Sequence, residues 1–270
     1  MKVCRVTCNV GSENAYPCAT ESPQNFWADG LPLSRDWFAE NLGEHVEAFH
    51  LHDDHGEVVG HIYWAPSNRA LVPYDIEDGV ACIYCEWVQR GHRGEGGMHM
   101  LFEEFVDYLH RRGFKGILVD ATTIEGYMHQ RHFLKRGFKI LREIGDGKLL
   151  YYPISQESVW VEPLQPHVTR EGTAPVDILV IGSHFCPVGA SAVLSLRKVA
   201  AELDGLVHVR EVDAGRNVIE HYGVADGIYI NGKAAFFGPV NEATVRETIR
   251  KEEYLSLTGR RSAVTSTILP

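Results

Sequence analysis

The chain has 270 residues, of which 44% are hydrophobic and 23% charged, and its net charge is −10 at pH 7. This composition is that of a globular protein with one large or two ordinary domains, and its acidic balance without a basic block argues against nucleic-acid binding. No apolar run is long enough to span a bilayer and the N-terminal segment lacks a secretory core, so we expect a cytoplasmic protein with no membrane partner.

Six cysteines are spread thinly along the sequence: Cys4, Cys8, Cys18, Cys82, Cys85 and Cys186. Their spacing does not resemble a disulfide framework and fits a reducing compartment. Cys82 and Cys85 form a C-x-x-C pair within a segment of strand character. A separation of three along a strand predicts opposite faces, so we expect no shared metal ion.

The first half of the chain predicts a mixed α/β layer. A short helix is expected to begin at Ser34 as its N-cap, followed by a hairpin over 45–66 and a strand over 79–88. A longer helix follows, because apolar residues recur at helical spacing: Met98, Leu101, Phe102, Phe105 and Leu109. A buried strand, a second helix ending at Gly137 and a closing hairpin complete the order.

Three histidines, His50, His52 and His55, lie in and around the turn of the first hairpin. Two of them share a strand face, which is compatible with metal ligation. No further residues complete a ligand set, and hairpin turns favour Asp, His and Gly for conformational reasons. We therefore assign no metal site.

The second half predicts a separate small domain. Residues 155–175 contain three prolines and little periodicity, which is typical of a linker. A buried strand then begins a second hydrophobic core. The predicted elements over 176–252 follow the order β-α-β-α-β-β-α. We interpret 1–154 as the first domain and 253–270 as a C-terminal tail.

A glycine-rich stretch, "HRGEGGMHML" at 92–101, joins the strand over 79–88 to the long helix. The first N–H groups of a helix lack partners, and glycines before them let the backbone approach an anion closely. Arg93 adds positive charge, so a phosphate or pyrophosphate is the expected ligand. Neither the dinucleotide pattern nor the nucleoside-triphosphate P-loop is present.

The pattern R-x-x-G-x-[GA] does fit Arg93 to Met98, apart from the final residue, and it resembles motif A of the GNAT (GCN5-related N-acetyltransferase) family. "FLKRGFKIL", from Phe133 to Leu141, is similar to the last signature of that family, and the strand–helix order agrees over residues 1–154. The resemblance implies a GNAT acyl-CoA N-acyltransferase domain.

The function that this resemblance implies is transfer of an acetyl group from acetyl-CoA, as cosubstrate, to a primary amine of a small molecule or peptide by direct attack. The implied cofactor contacts come from Val88 and Gln89 for the pantetheine. Arg93 and the backbone of the glycine loop would hold the pyrophosphate; that loop comprises Gly94, Glu95, Gly96, Gly97 and Met98.

Two departures from the family pattern affect the chemistry. Phe133 stands where the family has a general-acid tyrosine, so Tyr127, His129, His132 or water would protonate the leaving thiolate. Met98 replaces the small residue that ends motif A, and we expect its side chain to point into the core. Glu86 is the candidate base, with an ordinary ion-paired strand carboxylate as the alternative. The catalytic candidates are therefore Glu86, Tyr127 and His132.

Residues 176–252 resemble the thioredoxin fold, and the whole arrangement is similar to the YoaP-like subfamily of GNAT proteins. Cys186 then takes the place of the reactive thiol. Its C-x-x-C partner is Gly189, and the proline expected before "IYING" is missing. The domain is thus either a binding or scaffolding module or a monothiol site.

Two other functions stay open beside acetyl transfer. One is a thiol-redox protein that uses Cys186 and senses acyl-CoA, and the other is a catalytically silent acyl-CoA-binding protein. The sequence does not identify the acceptor amine. Residues 10–35 and 64–80, which would line its pocket, contain no recognisable motif. The sequence leaves the oligomeric state open.

Overall fold

The computed structural model describes residues 1–7, 14–20, 26–145, 147–155, 158–182, 184–203, 205–236, 238 and 240–258. Cys8, parts of the predicted acceptor segment 10–35 and residues 259–270 of the predicted tail lie outside these ranges. The chain forms two compact units. Unit 1 comprises Met1–Glu21, Phe38–Ala70 and Tyr74–Pro163, and unit 2 comprises Ser22–Trp37, Leu71–Pro73 and Leu164–Pro270.

A seven-stranded sheet forms the centre of unit 1, in the order β1-β2-β3-β5-β6-β8-β7. Its strands are Lys2–Arg5 (β1), Glu47–His52 (β2), Val58–Pro66 (β3), Val80–Val88 (β5), Gly116–Ala121 (β6), Lys139–Ile144 (β7) and Gly147–Pro153 (β8). All neighbours are antiparallel except β5 and β6, which are parallel. A separate ribbon pairs Tyr74–Ile76 (β4) with Val161–Pro163 (β9).

The helices of unit 1 are Pro17–Thr20 (α1), Gly97–Arg111 (α3) and Gln130–Lys135 (α4), while Leu31–Asn41 (α2) runs from unit 2 into unit 1. Helix α3 buries the apolar stripe that its sequence predicts, except that Met98 is only partly buried. This stripe packs with the sheet into one hydrophobic core. None of the helices in the described ranges is long and apolar enough to cross a bilayer.

Strands β5 and β6 diverge within the sheet. They pair only from Val80 to Ile83 on β5 and from Gly116 to Val119 on β6. Beyond that point β5 stays paired with β3 as far as Val88, while β6 stays paired with β8 as far as Ala121. We call the resulting opening, bordered by residues 84–88 and 120–121, the β5–β6 gap.

A β-bulge at Tyr84 accompanies this divergence. Cys82 pairs with Ala65 of β3, and Cys85 pairs with Tyr63, two residues away on the same face. The prediction that the two cysteines point to opposite faces is therefore wrong, because the extra residue shifts the alternation by one. Among the residues that the structure describes, no group of three His, Cys, Asp or Glu side chains is arranged to hold a metal ion.

Unit 2 contains a four-stranded sheet in the order β11-β10-β12-β13. Its elements are Val176–Gly182 (β10), Pro187–Glu202 (α5), Val207–Asp213 (β11), Arg216–Tyr222 (α6), Gly227–Ile230 (β12), Lys233–Phe236 (β13) and Glu242–Thr258 (α7). Strands β10 and β11 are parallel, and the other two pairs are antiparallel. The predicted mixed α/β fold class is confirmed, and the predicted domain bounds stay a prediction.

Two helices differ from their predicted extents. Helix α2 begins at Leu31, so Ser34 lies inside it, and the Ser34 hydroxyl donates to the carbonyl of His184 at 2.7 Å. Helix α4 covers only Gln130–Lys135, because the preceding residues 122–129 form a loop in which Met128 has a φ of +46°. Sequence periodicity detects neither the tertiary contact of Ser34 nor this backbone conformation.

Candidate functional site

The glycine loop connects β5 to α3 through a 3-10 turn at Arg90–His92. Gly94 and Gly96 have φ values of +85° and +81°, which L-residues with a Cβ rarely adopt. A Cβ at either position would meet no atom within 4 Å. These two glycines are therefore required by backbone conformation, and the space above them is open.

Gly97, the first residue of α3, serves a different purpose. It is buried, and a Cβ there would lie 2.6 Å from Cδ2 of Leu51 on β2. The next residue, Met98, packs against the hydrophobic core of unit 1, as its place in the apolar stripe predicts. The first turn of α3 is thus held against the sheet by packing.

The exposed side of the same turn suits an anion. A helix of 15 residues carries a partial positive charge at its N-terminus, where its first N–H groups have no intrahelical acceptor. Arg93 is exposed beside it; its Nε donates to the Val88 carbonyl at 3.0 Å, and its guanidinium lies 4.7 Å from the centre of the Trp87 ring. Both contacts fix the position of this cation.

Glu95 is the only residue of the glycine loop that carries an acidic side chain. Its Oε2 lies 3.4 Å from Nδ1 of His92. Because a carboxylate repels a phosphate, only the backbone of Glu95 suits the predicted role.

The backbone groups of β5 alternate between β3 and the β5–β6 gap. The Gln89 N–H donates to Val59 on β3 at 2.9 Å, and the Gln89 carbonyl accepts from His92 at 3.0 Å. Both backbone groups of Gln89 are therefore hydrogen-bonded within the protein. Its side chain donates to the Pro17 carbonyl at 3.3 Å. The alternation directs the backbone groups of Val88 and Glu86 toward the gap.

A methionine occupies part of that gap. The N–H of Glu86 donates to Sδ of Met128 at 3.3 Å, and the rest of the Met128 side chain packs against the core. Sequence reasoning missed this residue, because a methionine in a loop carries no pattern that predicts a strand-edge contact.

The Glu86 carboxylate forms a bidentate ion pair with the Arg136 guanidinium. Arg136 Nη1 donates to Glu86 Oε2 at 2.8 Å, and Nη2 donates to Oε1. The two side chains are 8% and 17% exposed, and the guanidinium also lies 4.8 Å from the ring centres of Phe102 and Phe133. The structure thus provides the ion-paired arrangement that was the alternative to a catalytic base.

The other two catalytic candidates lie near Met128. His132 is exposed on α4, and its pKa is lowered from 6.5, first by desolvation and then by Arg131 and His129. Its imidazole is therefore neutral at pH 7. The Glu86 carboxylate is near enough to raise the pKa of His132 slightly, against the larger effects that lower it. Tyr127 is 40% exposed in the loop before α4, and its backbone carbonyl accepts a hydrogen bond from the hydroxyl of Thr122. Phe133 is fully buried.

The histidines of the first hairpin have structural partners. His50 is 2% exposed, and its Nε2 lies 3.2 Å from the Tyr63 hydroxyl. His61 stacks on the Tyr63 ring at 3.9 Å and contacts Sγ of Cys85 at 3.3 Å. Burial lowers the pKa of His50 to about 3 and that of His61 well below its usual value. Both are neutral side chains of the protein interior.

Cys186 of unit 2 is the N-cap of α5 and is partly buried. A Cβ on Gly30, in the 3-10 turn Phe26–Gly30, would lie 2.2 Å from the Pro187 carbonyl oxygen. Trp37 packs edge-to-face on Phe185 at 5.6 Å between ring centres. Residues of the segment 30–37 therefore lie directly on the first turn of α5. The described part of the chain contains no cis peptide bond.

Comparison with known proteins finds a family profile that is similar to part of the chain. Residues 13–138 match the profile described as the Acetyltransferase (GNAT) family. No curated protein shows significant sequence similarity to the chain.

Similar solved structures include a ribosomal-protein-S18-alanine N-acetyltransferase from Escherichia coli, at 16% identity and a TM-score of 0.42, covering 58% of this chain and 96% of that one. A GNAT family N-acetyltransferase from E. coli in complex with CoA shows 16% identity, a TM-score of 0.41, and coverages of 57% and 81%. An aminoglycoside 6'-acetyltransferase type Ii shows 15% identity, a TM-score of 0.44, and coverages of 58% and 100%. At these identities and scores, the three likenesses support no inference about the activity of this chain.

Proposed function

We propose that the part of the chain that matches the GNAT acetyltransferase profile, residues 13–138, transfers an acetyl group from acetyl-CoA to a primary amine of a small molecule or peptide in the cytoplasm. The acyl-CoA supplies the thioester. The amine nitrogen bonds to its carbonyl carbon, the carbon–sulfur bond breaks, and the CoA thiolate takes up a proton while the amine loses one. No covalent bond to the protein is needed.

The observation that carries this proposal is the open glycine loop at the N-terminus of α3, beside the β5–β6 gap. Gly94 and Gly96 leave space where side chains would stand, and Arg93 is held next to them. We propose that Arg93 and the amides of residues 94–98 bind the pyrophosphate. The backbone N–H groups of Val88 and Glu86, which face the gap, would then bind the pantetheine and the acyl carbonyl.

We assign different roles to the three catalytic candidates. Because Arg136 neutralises and holds the Glu86 carboxylate, Glu86 is a positioning residue in this proposal. Tyr127 and His132 lie on either side of the Met128–His129 segment, next to the gap. We propose that the Tyr127 hydroxyl supplies the proton that the departing thiolate takes up, because the imidazole of His132 is neutral at pH 7 and is not a proton donor for a thiolate.

Binding of acetyl-CoA tests the proposal directly. Acetyl-CoA in large excess over a micromolar dissociation constant should raise the melting temperature of the full chain, because a ligand of the native state stabilises it. Arg93→Glu should abolish this shift. Arg250→Glu, the same charge reversal on an exposed face of α7, should preserve it. A panel of primary amines with detection of free CoA then separates an enzyme from a silent binder.

We also propose that unit 2 is a thioredoxin-like module with a scaffolding role. Its strand order, with β10 and β11 parallel and the β12–β13 hairpin antiparallel, supports the likeness. The contacts of Gly30 and Trp37 with the start of α5 favour scaffolding over thiol chemistry, since they occupy the place where a thiol substrate would approach Cys186. Gly189 offers no second thiol.

A further inference from the structure

A tyrosine–aspartate pair lies at the border of the β5–β6 gap. The hydroxyl of Tyr74 on β4 donates to Oδ1 of Asp120 on β6 at 2.7 Å. Asp120 is the first residue of β6 after its pairing with β5 ends at Val119. The carboxylate therefore stands where the two strands begin to separate.

Asp120 lies on the opposite face of the sheet from Glu86. Its neighbours Val119 and Ala121 both belong to the hydrophobic core under α3, so alternation directs Asp120 to the other face. Glu86 points toward that core, where Arg136 stacks on Phe102. The gap thus has one carboxylate on each face.

The two carboxylates have different surroundings. Glu86 is 8% exposed and is bound by a guanidinium. Asp120 is exposed and accepts a hydrogen bond from a phenol that is itself only 4% exposed. Burial and the adjacent Asp120 charge raise the pKa of Tyr74, so Tyr74 stays a neutral donor at all physiological pH values. A neutral donor orients the carboxylate without bringing a positive charge to it.

We infer that Asp120, oriented by Tyr74, binds the ammonium group of the acceptor and takes its proton before attack, so that the acceptor is a cationic primary amine that enters from the Tyr74 face. The inference rests on the proposed acetyl transfer. One N–H bond of the ammonium breaks, its proton passes to the carboxylate, and the nitrogen lone pair is freed to attack the thioester. Tyr74 is a positioning residue in this step.

Calorimetric titration of the full chain with 1,4-diaminobutane tests the inference without any turnover. The wild type should bind the diamine at least tenfold more tightly than butane-1,4-diol, which has the same length and no charge. Asp120→Asn should weaken diamine binding about tenfold or more, as expected for loss of a charge-assisted hydrogen bond. Tyr74→Phe should weaken it less. Asp107→Asn, on an exposed face of α3, is the matched control and should leave it unchanged.

The same variants are then assayed with acetyl-CoA. Asp120→Asn should lower kcat/KM for the diamine while the thermal shift with acetyl-CoA stays as in the wild type. Equal diamine binding by the wild type and Asp120→Asn, or no preference of the wild type for the diamine over the diol, overturns the inference. Diamine binding without any acetyl-CoA shift would instead overturn the proposed acetyl transfer and leave Asp120 as an amine-binding residue.

Discussion

Sδ of Met128 accepts a hydrogen bond from the backbone N–H of Glu86 at 3.3 Å, on the edge of β5 that faces the β5–β6 gap. In the proposed function this N–H polarises the acyl carbonyl, so the thioether and the acyl group compete for one donor. The contact joins residues 42 positions apart in the sequence. Met128 must therefore move before an acyl thioester can use that N–H group.

Met128→Ala should increase the affinity for acetyl-CoA, because the competing sulfur is removed while the backbone amide stays. A gain of about threefold to tenfold corresponds to one weak hydrogen bond of about 1 kcal/mol. Isothermal titration with acetyl-CoA measures it. Met100→Ala, at a methionine that is 37% exposed on α3, should leave the affinity unchanged. Weaker binding by Met128→Ala would mean that the side chain supports the ligand rather than displaces it.

Glu86→Gln should destabilise the protein by about 3 kcal/mol. The substitution leaves the guanidinium of Arg136, which is 17% exposed, without its counter-charge, and breaking one side of a buried pair costs about that much. Urea unfolding measures the change. Glu103→Gln, at an exposed pair with His99, should change the stability by less than about 0.5 kcal/mol.

The pH profile of the same variant separates a positioning residue from a base. If Glu86 only holds Arg136 in place, kcat/KM of Glu86→Gln keeps the pH dependence of the wild type at a lower overall level. Loss of the acidic limb of the profile would show that Glu86 itself takes the proton and would contradict our assignment.

Some of these features could be predicted from the sequence and others could not, for a physical reason. The apolar stripe of α3 and the glycine loop before it are local, since helical periodicity and positive φ are encoded within a few residues. The bulge at Tyr84 depends on how β5 pairs with β3, so the shared face of Cys82 and Cys85 escaped a rule based on spacing. The Glu86–Arg136 and Tyr74–Asp120 pairs join distant segments and need the fold before they can be seen.

Gly94→Ala and Gly97→Ala should both lower the stability, but only the first should weaken acetyl-CoA binding. Alanine at Gly94 adopts a φ of +85° at a cost of about 1–2 kcal/mol, and its methyl group enters the open space above the loop. Alanine at Gly97 crowds Leu51 inside the protein at a cost of about 1–3 kcal/mol. Thermal unfolding with and without acetyl-CoA measures both effects.

A second substitution checks the packing argument. Leu51→Val, added to Gly97→Ala, removes the methyl group nearest the new Cβ and should restore part of the lost stability. It should restore none in Gly94→Ala. Equal loss of acetyl-CoA binding in both glycine variants would contradict this prediction. It would mean that binding depends on the folded conformation of the loop and not on the open space above Gly94.

The buried histidines should make the protein less stable in mild acid. The pKa of His50 is lowered to about 3 and that of His61 well below 6.5. Below pH 6.5 these two histidines therefore become protonated in the unfolded chain but stay neutral in the native state. The contribution of the two neutral histidines to the free energy of unfolding is therefore complete above pH 6.5 and decreases as the pH falls below it. Between pH 7 and pH 5 His50 should cost about 2 kcal/mol of stability, and His61 should lower the stability in the same direction.

Urea unfolding at the two pH values measures this loss. His50→Gln should reduce the difference between pH 7 and pH 5 by about 2 kcal/mol, whatever its effect on the absolute stability. His110→Gln, at an exposed position of α3, should leave the difference as it is in the wild type. A pH dependence that His50→Gln does not change would place the titrating groups elsewhere.

Gly30→Ala should expose the thiol of Cys186. A Cβ at Gly30 would lie 2.2 Å from the Pro187 carbonyl and 2.6 Å from the Ser191 nitrogen, both backbone atoms, so the segment must move off the first turn of α5. Site-resolved mass spectrometry after iodoacetamide treatment should show slow alkylation of Cys186 in the wild type and faster alkylation in the variant. Gly189→Ala, where a Cβ meets no atom within 4 Å, should react like the wild type. Alkylation of wild-type Cys186 faster than that of glutathione at neutral pH would instead favour the thiol-redox function, because a helix N-terminus then stabilises an accessible thiolate.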